Sequence, residues 1–159
     1  AFDLFRKNNI NSKHKFYIVG EKWKWSNEAE TTFQQLEFKH DVIFAGRLSS
    51  EQLGFAIGSA EALMYVSFFE GFGIPILEAF YAGTPVITST TTSMPEVAGN
   101  AALYANPNNI DEIAKAMSKI VFDKQIRDSL IAEGNIRKNL FTWEKTAESM
   151  WKAIEQNIL

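Results

Sequence analysis

The chain has no cysteine among its 159 residues, which excludes a disulfide framework, a thiolate nucleophile and a cysteine-based metal site. It has only two histidines, His14 and His40, neither with an acidic or histidine partner at the spacing of metal ligands. Both are expected as surface residues beside strands. No apolar run approaches the roughly 18–20 residues that a membrane span requires. A net charge of −3 argues against a general nucleic-acid binder, which would carry a basic field. The opening residues, AFDLFRKNNINSKHKF, lack the basic, apolar and small-residue segments of a secretory leader. The default compartment is therefore the cytoplasm. What is present, 46% hydrophobic and 22% charged residues, is the composition of one soluble globular domain with a real core.

Short apolar runs alternate with amphipathic ones. FYIVG (16–20), VIFAG (42–46), ALMYVS (62–67) and PVITS (85–89) have the length and continuity of buried strands, with AALYAN (101–106) as a weaker fifth. Helices are expected at about 28–37, 50–60 and 75–82, the second opening at Ser49-Ser50-Glu51 and the third at Pro75. Alternation of this kind predicts a Rossmann-like, doubly wound parallel sheet covered on both faces. Beyond residue 107 the pattern is helical only. Ile110, Ile113, Ala114, Met117, Ile120 and Val121 share one face, and a second run spans about 124–139. A third helix follows the N-cap candidate Thr142, with Trp143, Ala147, Met150, Trp151 and Ile154 on one stripe. The chain opens inside an apparent helix (Phe2, Leu4, Phe5), where a doubly wound domain should open with a strand. Something is therefore expected to precede residue 1 in the parent protein.

The segment FFEGFGIPILEAF (68–80) follows the third strand and leads into a helix, at the sheet edge where open α/β folds bind ligands. Gly71 and Gly73 would let a ligand approach the main chain. Free N–H groups at about residues 73–76 would favour an anion, typically phosphate. Glu70 and Glu78, ionised, would accept hydrogen bonds from hydroxyls at either end of that ligand. Phosphate between two polyhydroxylated groups describes a nucleotide sugar. The bland alternative is a surface Glu70 before a turn and a Glu78 that merely complements the helix dipole.

The longer stretch EGFGIPILEAFYAGTPVITSTTTSMPEVAGNAALYANP resembles the signature of group 1 glycosyltransferases, retaining enzymes with two Rossmann-like domains (the GT-B fold). Its ordered parts are E-x7-E, A-G-T-P-V-I and S-x-P-E-V-x-G, and the likeness runs upstream through VIFAGRLSSEQLGFAIGSAEALMYVS and downstream to FTWEKTAESMWKAI. This resemblance implies a single donor-binding domain over 1–159, the C-terminal half of such a fold. It implies that Glu70 faces the donor sugar and its anomeric centre, and that Glu78 binds the ribose. The main chain of Gly71, Phe72, Gly73 and Ile74 would touch sugar and diphosphate, and Gly46 and Arg47 would sit beside the base. Thr84-Pro85 and Met94-Pro95-Glu96 would shape neighbouring loops. The reaction implied is glycosyl transfer with retention in glycan or polysaccharide biosynthesis, to an acceptor glycan or lipid-linked glycan bound mainly by an absent N-terminal domain. No Asp-x-Asp motif occurs, and neither a metal nor another cofactor is expected.

The cations that such enzymes place before this chain's first helix are absent, and Arg6 and Lys7 lie too far along that helix to take their role. The missing first strand would sit between those at 16–20 and 62–67. The isolated chain is accordingly expected to bind donor weakly and transfer little sugar. Three rivals remain open: a non-catalytic nucleotide-binding or regulatory module, a nucleotide-sugar epimerase, and paired-carboxylate glycoside hydrolysis, which would leave the anion-binding helix start without a purpose. EKWKWSNEAE (21–30) is expected as a loop whose tryptophans cover a sheet edge, with a membrane-surface or acceptor-facing element as the alternative. The inner face of the cell membrane is kept as the alternative location of the parent protein. TSTTTS (88–93) has six hydroxyls and no nearby base, and is expected as a loop near the donor sugar.

Overall fold

All five expected strands form, and they form two sheets rather than one. A computed structural model describes residues 1–21 and 26–158, so the Trp23 and Trp25 of EKWKWSNEAE lie outside the described residues. The strands are β1 (Phe16–Val19), β2 (Val42–Gly46), β3 (Leu63–Tyr65), β4 (Val86–Ser89) and β5 (Ala102–Ala105). Parallel β1 and β2 pair with Phe16 opposite Val42, and β3, β4 and β5 make a separate parallel sheet in that order. Among the described residues no ladder joins the two. This is the gap expected from the missing first strand. The break lies between residues 16–19 and 63–65, where the resemblance places a further strand.

Among the described residues eight α-helices connect and cover these strands: α1 (Phe2–Asn8), α2 (Asn27–Gln35), α3 (Ser50–Gly58), α4 (Ile74–Ala82), α5 (Met94–Ala98), α6 (Ile110–Phe122), α7 (Lys124–Arg137) and α8 (Trp143–Ile158). The cap residues act as the sequence suggests. Ser49 and Gln52 form a reciprocal capping box on α3, and Thr142 Oγ1 accepts from the Lys145 N–H at 3.2 Å. α5 departs from the expected loop at Met94-Pro95-Glu96. Pro95 fits its first turn, where no backbone N–H is needed.

The core is two apolar clusters on opposite faces of β3–β5. Val86 packs with Ile57, Ile76, Phe80, Met94 and Val97 on one face, and Ile87 with Phe2, Phe5, Met117, Ile120 and Leu130 on the other. Every residue of β4 is therefore buried, as its unbroken apolar run requires. Phe16 and Val42 pack against the second cluster beside Met64 and Leu103, so one apolar layer spans both sheets. Among the described residues neither α2 nor α8 places a side chain in these clusters. All described side chains of α8 are exposed, including Trp143, Met150 and Trp151. Among the described residues no helix is long and apolar enough to cross a membrane.

The α4–α7 crossing sets a stability test. A Cβ at Gly134 would lie 2.8 Å from Phe80 Cδ1, and Phe80 is buried in the first cluster. Gly134→Ala should destabilise the protein by about 1–3 kcal/mol through overpacking, read as a lower urea midpoint. In an unobstructed helix the same change would stabilise by up to about 1 kcal/mol. The expected sign is thus reversed.

Candidate functional site

Eight residues separate the end of β3 from the start of α4, and they decide which main-chain groups are free. Gly73 is the N-cap of α4 with φ 108° and ψ 47°, a left-handed conformation that favours glycine. Its missing side chain also makes room: a Cβ there would meet Ile76 Cδ1 at 3.2 Å and Met94 Sδ at 3.3 Å. Gly71 differs. It is not among the glycines of positive φ, and a Cβ there would meet nothing within 4 Å. Of the two glycines expected to admit a ligand to the main chain, Gly73 alone uses backbone angles closed to other residues.

At the front of α4, Pro75 has no N–H and the Ile76 N–H bonds to the Gly73 carbonyl at 3.0 Å. The expected donor run of 73–76 therefore narrows to Gly73 and Ile74. No side chain caps this helix, and its first turn holds no acidic residue. A helix start in that state carries partial positive charge on unsatisfied donors, the usual setting for an anion.

Glu70 stands immediately before this turn and is held firmly. Its Oε1 accepts from Ser67 Oγ at 2.9 Å, its N–H donates to Thr92 Oγ1 at 3.3 Å, and its carbonyl accepts from Ser93 Oγ at 3.0 Å. Ser93 Oγ also lies 2.9 Å from the Phe72 carbonyl, and Thr91 Oγ1 donates to the Phe68 carbonyl at 3.2 Å. The serine and threonine run after β4 is thus a brace for the 67–73 loop. The chemistry of those hydroxyls was legible, but their partners lie more than twenty residues away and carry no local spacing signal. Thr92 occupies the left-handed region at φ 53°, a strained position for a β-branched residue.

Glu78 is half-buried on α4. Burial first, and then the Glu70 carboxylate beside it, push the Tyr65 phenol up to about 12, with Glu78 adding to the same shift. One phenol at the end of β3 thus senses both carboxylates. Among the described residues neither glutamate is in an ion pair with a lysine or arginine. Phe72 packs edge-on against Phe141, ring centres 5.6 Å apart, whereas Phe68, Phe69 and Ile74 are exposed. The nearby Arg137 is committed elsewhere: it lies over Phe141 and donates to the carbonyls of Val97 and Glu96.

Gly46 and Arg47 are not tied to this loop. Gly46, at φ 69°, accepts from the Gly20 N–H at 2.8 Å, and Arg47 is exposed. Among the described residues none of their hydrogen bonds or ion pairs reaches residues 67–93. Thr84 and Met94 are structural: Thr84 donates to the Ile57 carbonyl at 2.8 Å, and Met94 is fully buried behind Gly73. Among the described residues no group of three potential metal ligands occurs. His14 is hydrogen-bonded to Ser12 and half-buried against Phe5, whereas His40 is exposed.

The family described as "Glycosyl transferases group 1" matches residues 1–137. O-antigen chain mannosyltransferase B of Escherichia coli is 40% identical over 103 residues, covering 65% of this chain and 27% of that protein. O-antigen chain mannosyltransferase RfbU of Salmonella typhimurium is 33% identical over 119 residues, covering 69% and 34%. The chain therefore spans between a quarter and about a third of these relatives' length. Among solved structures, sucrose-phosphate synthase of Thermosynechococcus elongatus superposes with a TM-score of 0.81 at 24% identity, covering 98% of this chain and 41% of that one. Anabaena HepE, in complex with UDP-glucose, gives 0.80 at 16% identity, covering 98% and 44%. These likenesses bear out the Rossmann-like α/β fold.

Proposed function

The chain belongs to the group 1 glycosyl transferases, and we propose that it is the donor-binding part of a retaining enzyme that moves a sugar from a nucleotide diphosphate sugar to a glycan acceptor. One observation carries this reading: an uncapped, glycine-turned helix start lies between two carboxylates that, among the described residues, have no cationic partner. The N–H groups of Gly73 and Ile74 would meet the diphosphate. Glu78 would accept from the ribose, and Glu70 from the donor sugar. Breaking the anomeric C–O bond places negative charge on the leaving diphosphate, and donors already aimed there stabilise it without reorganising. Glu70, on the sugar side, would oppose the positive charge that develops on the ring. Gly46 and Arg47 are proposed to flank the base.

The O-antigen mannosyltransferase names of two relatives support polysaccharide biosynthesis, with mannose as the first sugar to test. The parent protein would supply a preceding acceptor domain and a strand between β1 and β3. The relatives' greater length and, among the described residues, the unpaired edges of β1 and β3 and the uncovered stripe of α8 support that arrangement. The isolated chain would then transfer little sugar.

The test is a titration of the full-length protein with UDP, GDP and ADP and with their glucose and mannose conjugates. A hydrogen bond to a charged group contributes about 1.5–3 kcal/mol, or roughly 10–150-fold in affinity. Glu78→Ala should weaken bare nucleotide and nucleotide sugar alike by about that factor. Glu70→Ala should weaken only the nucleotide sugar. The reverse pattern would exchange the two assignments, and no binding of any member of the panel would end the donor reading.

A further inference from the structure

Glu70 is held more tightly than a residue meant only to meet solvent needs to be. Both ends of it are fixed, the carboxylate by Ser67 and the main chain by Thr92 and Ser93. A hydroxyl has a single proton to give. With the Ser67 proton on Glu70 Oε1, the Tyr65 hydroxyl beside them is the second donor toward the carboxylate. These anchors are themselves tied to the sheet. Tyr65 ends β3, its carbonyl accepts from Thr88 Oγ1 of β4 at 2.8 Å, and Ser67 follows two residues later. Thr91 Oγ1 closes the arrangement with a bond to the Phe68 carbonyl, between Ser67 and Glu70.

We propose that Ser67 and Tyr65 are positioning residues for Glu70, turning Oε1 toward the protein and leaving Oε2 as the acceptor for a donor-sugar hydroxyl. Neither touches the ligand in this scheme. Without them the glutamate turns among its rotamers, and the ordering otherwise built into the fold has to be supplied on binding. A tyrosine serves here because its phenol is a donor throughout the physiological range, and burial, then the neighbouring Glu70, push its pKa further up.

The assignment rests on the donor reading of Glu70, and calorimetry on the full-length protein separates the two. GDP-mannose is compared with GDP, and UDP-glucose with UDP, for wild type, Ser67→Ala, Tyr65→Phe, Glu70→Ala and the double variants. Ser67→Ala should weaken the sugar-bearing ligand about 5–20-fold and Tyr65→Phe about 3–10-fold, each the loss of one hydrogen bond. Bare nucleotide should change by less than about twofold in both. Ser67→Thr, which keeps the hydroxyl, should recover most of the affinity. In the Glu70→Ala background neither substitution should matter further. Equal loss on both ligands would mark the two residues as structural, and losses that multiply with Glu70→Ala would show that they act independently of it; either result overturns the proposal. If Glu70→Ala separates the ligands while Ser67→Ala and Tyr65→Phe behave as wild type, the positioning role alone fails. If Glu70→Ala itself changes neither ligand, the donor reading fails and the positioning role with it.

Discussion

Gly73→Ala is expected to cost about 2–4 kcal/mol of stability and to weaken nucleoside diphosphate binding at least tenfold. Two terms add. A non-glycine residue forced into a sparsely populated backbone region carries about 1–3 kcal/mol of strain. The new methyl would also press on Ile76 Cδ1 at 3.2 Å and Met94 Sδ at 3.3 Å. Both neighbours are fully buried, so relief requires repacking of the cluster beneath α4, at about another 1 kcal/mol. Relaxation of the turn would swing the N–H groups of Gly73 and Ile74 away from a common target, which links the loss of stability to a loss of binding. Gly71→Ala is the internal control. Without a positive φ or a close neighbour, its cost should stay within about 0.5 kcal/mol. Urea unfolding and nucleotide calorimetry on the pair decide the matter. A silent Gly73→Ala, or a Gly71→Ala that costs more, would remove the structural basis of the anion site.

These two glycines also show how far local sequence reaches. In the letters EGFG they are equivalent, and only the backbone separates one that is required from one that is not. Glu70, Gly73 and Glu78 were legible because they fall within nine residues at a strand-to-helix junction, where spacing alone fixes their order around a helix start. The strands were legible for a similar reason, since a run such as Val86–Ser89, buried on both faces, cannot alternate. The brace around Glu70 was not legible. Its bonds span twenty-one to twenty-three residues and depend on how the β4–α5 loop folds over the β3–α4 loop. Tyr65 was concealed differently: within ALMYVS it reads as one more apolar strand residue, and only its position at the strand end brings its hydroxyl to Glu70. Gly46 and Arg47 came from resemblance rather than spacing, and the main chain offers no bond that joins them to the loop.

Arg6→Ala should cost about 2–4 kcal/mol, and the loss should be local. Arg6 is buried on α1, where its guanidinium pairs with Asp41, donates to the His14 carbonyl at 3.0 Å and lies 4.6 Å from the centre of the Phe38 ring. Removing one member of a buried pair typically costs about 3–5 kcal/mol because a charge is left without a partner. Asp41 retains 30% side-chain exposure and can hydrate, which lowers that figure. Arg6 Nε is buried without a hydrogen-bond partner, so part of the guanidinium's desolvation is already uncompensated. Arg6→Met, which keeps the stem over Phe38, should therefore lose less than Arg6→Ala. A second tie reinforces the same joint, since Asp3 accepts from the Phe38 N–H at 2.8 Å and pairs with Lys7 at 2.8 Å. Among the described residues no ladder joins β1–β2 to β3–β5, so these polar ties and the shared apolar layer hold α1 and the small sheet in place. Hydrogen exchange on Arg6→Ala should then show protection falling first in residues 16–19 and 42–46, with 86–89 changing least. Uniform loss across both sheets would mean that the apolar layer alone couples them, and that the Arg6–Asp41 pair is incidental to the joint.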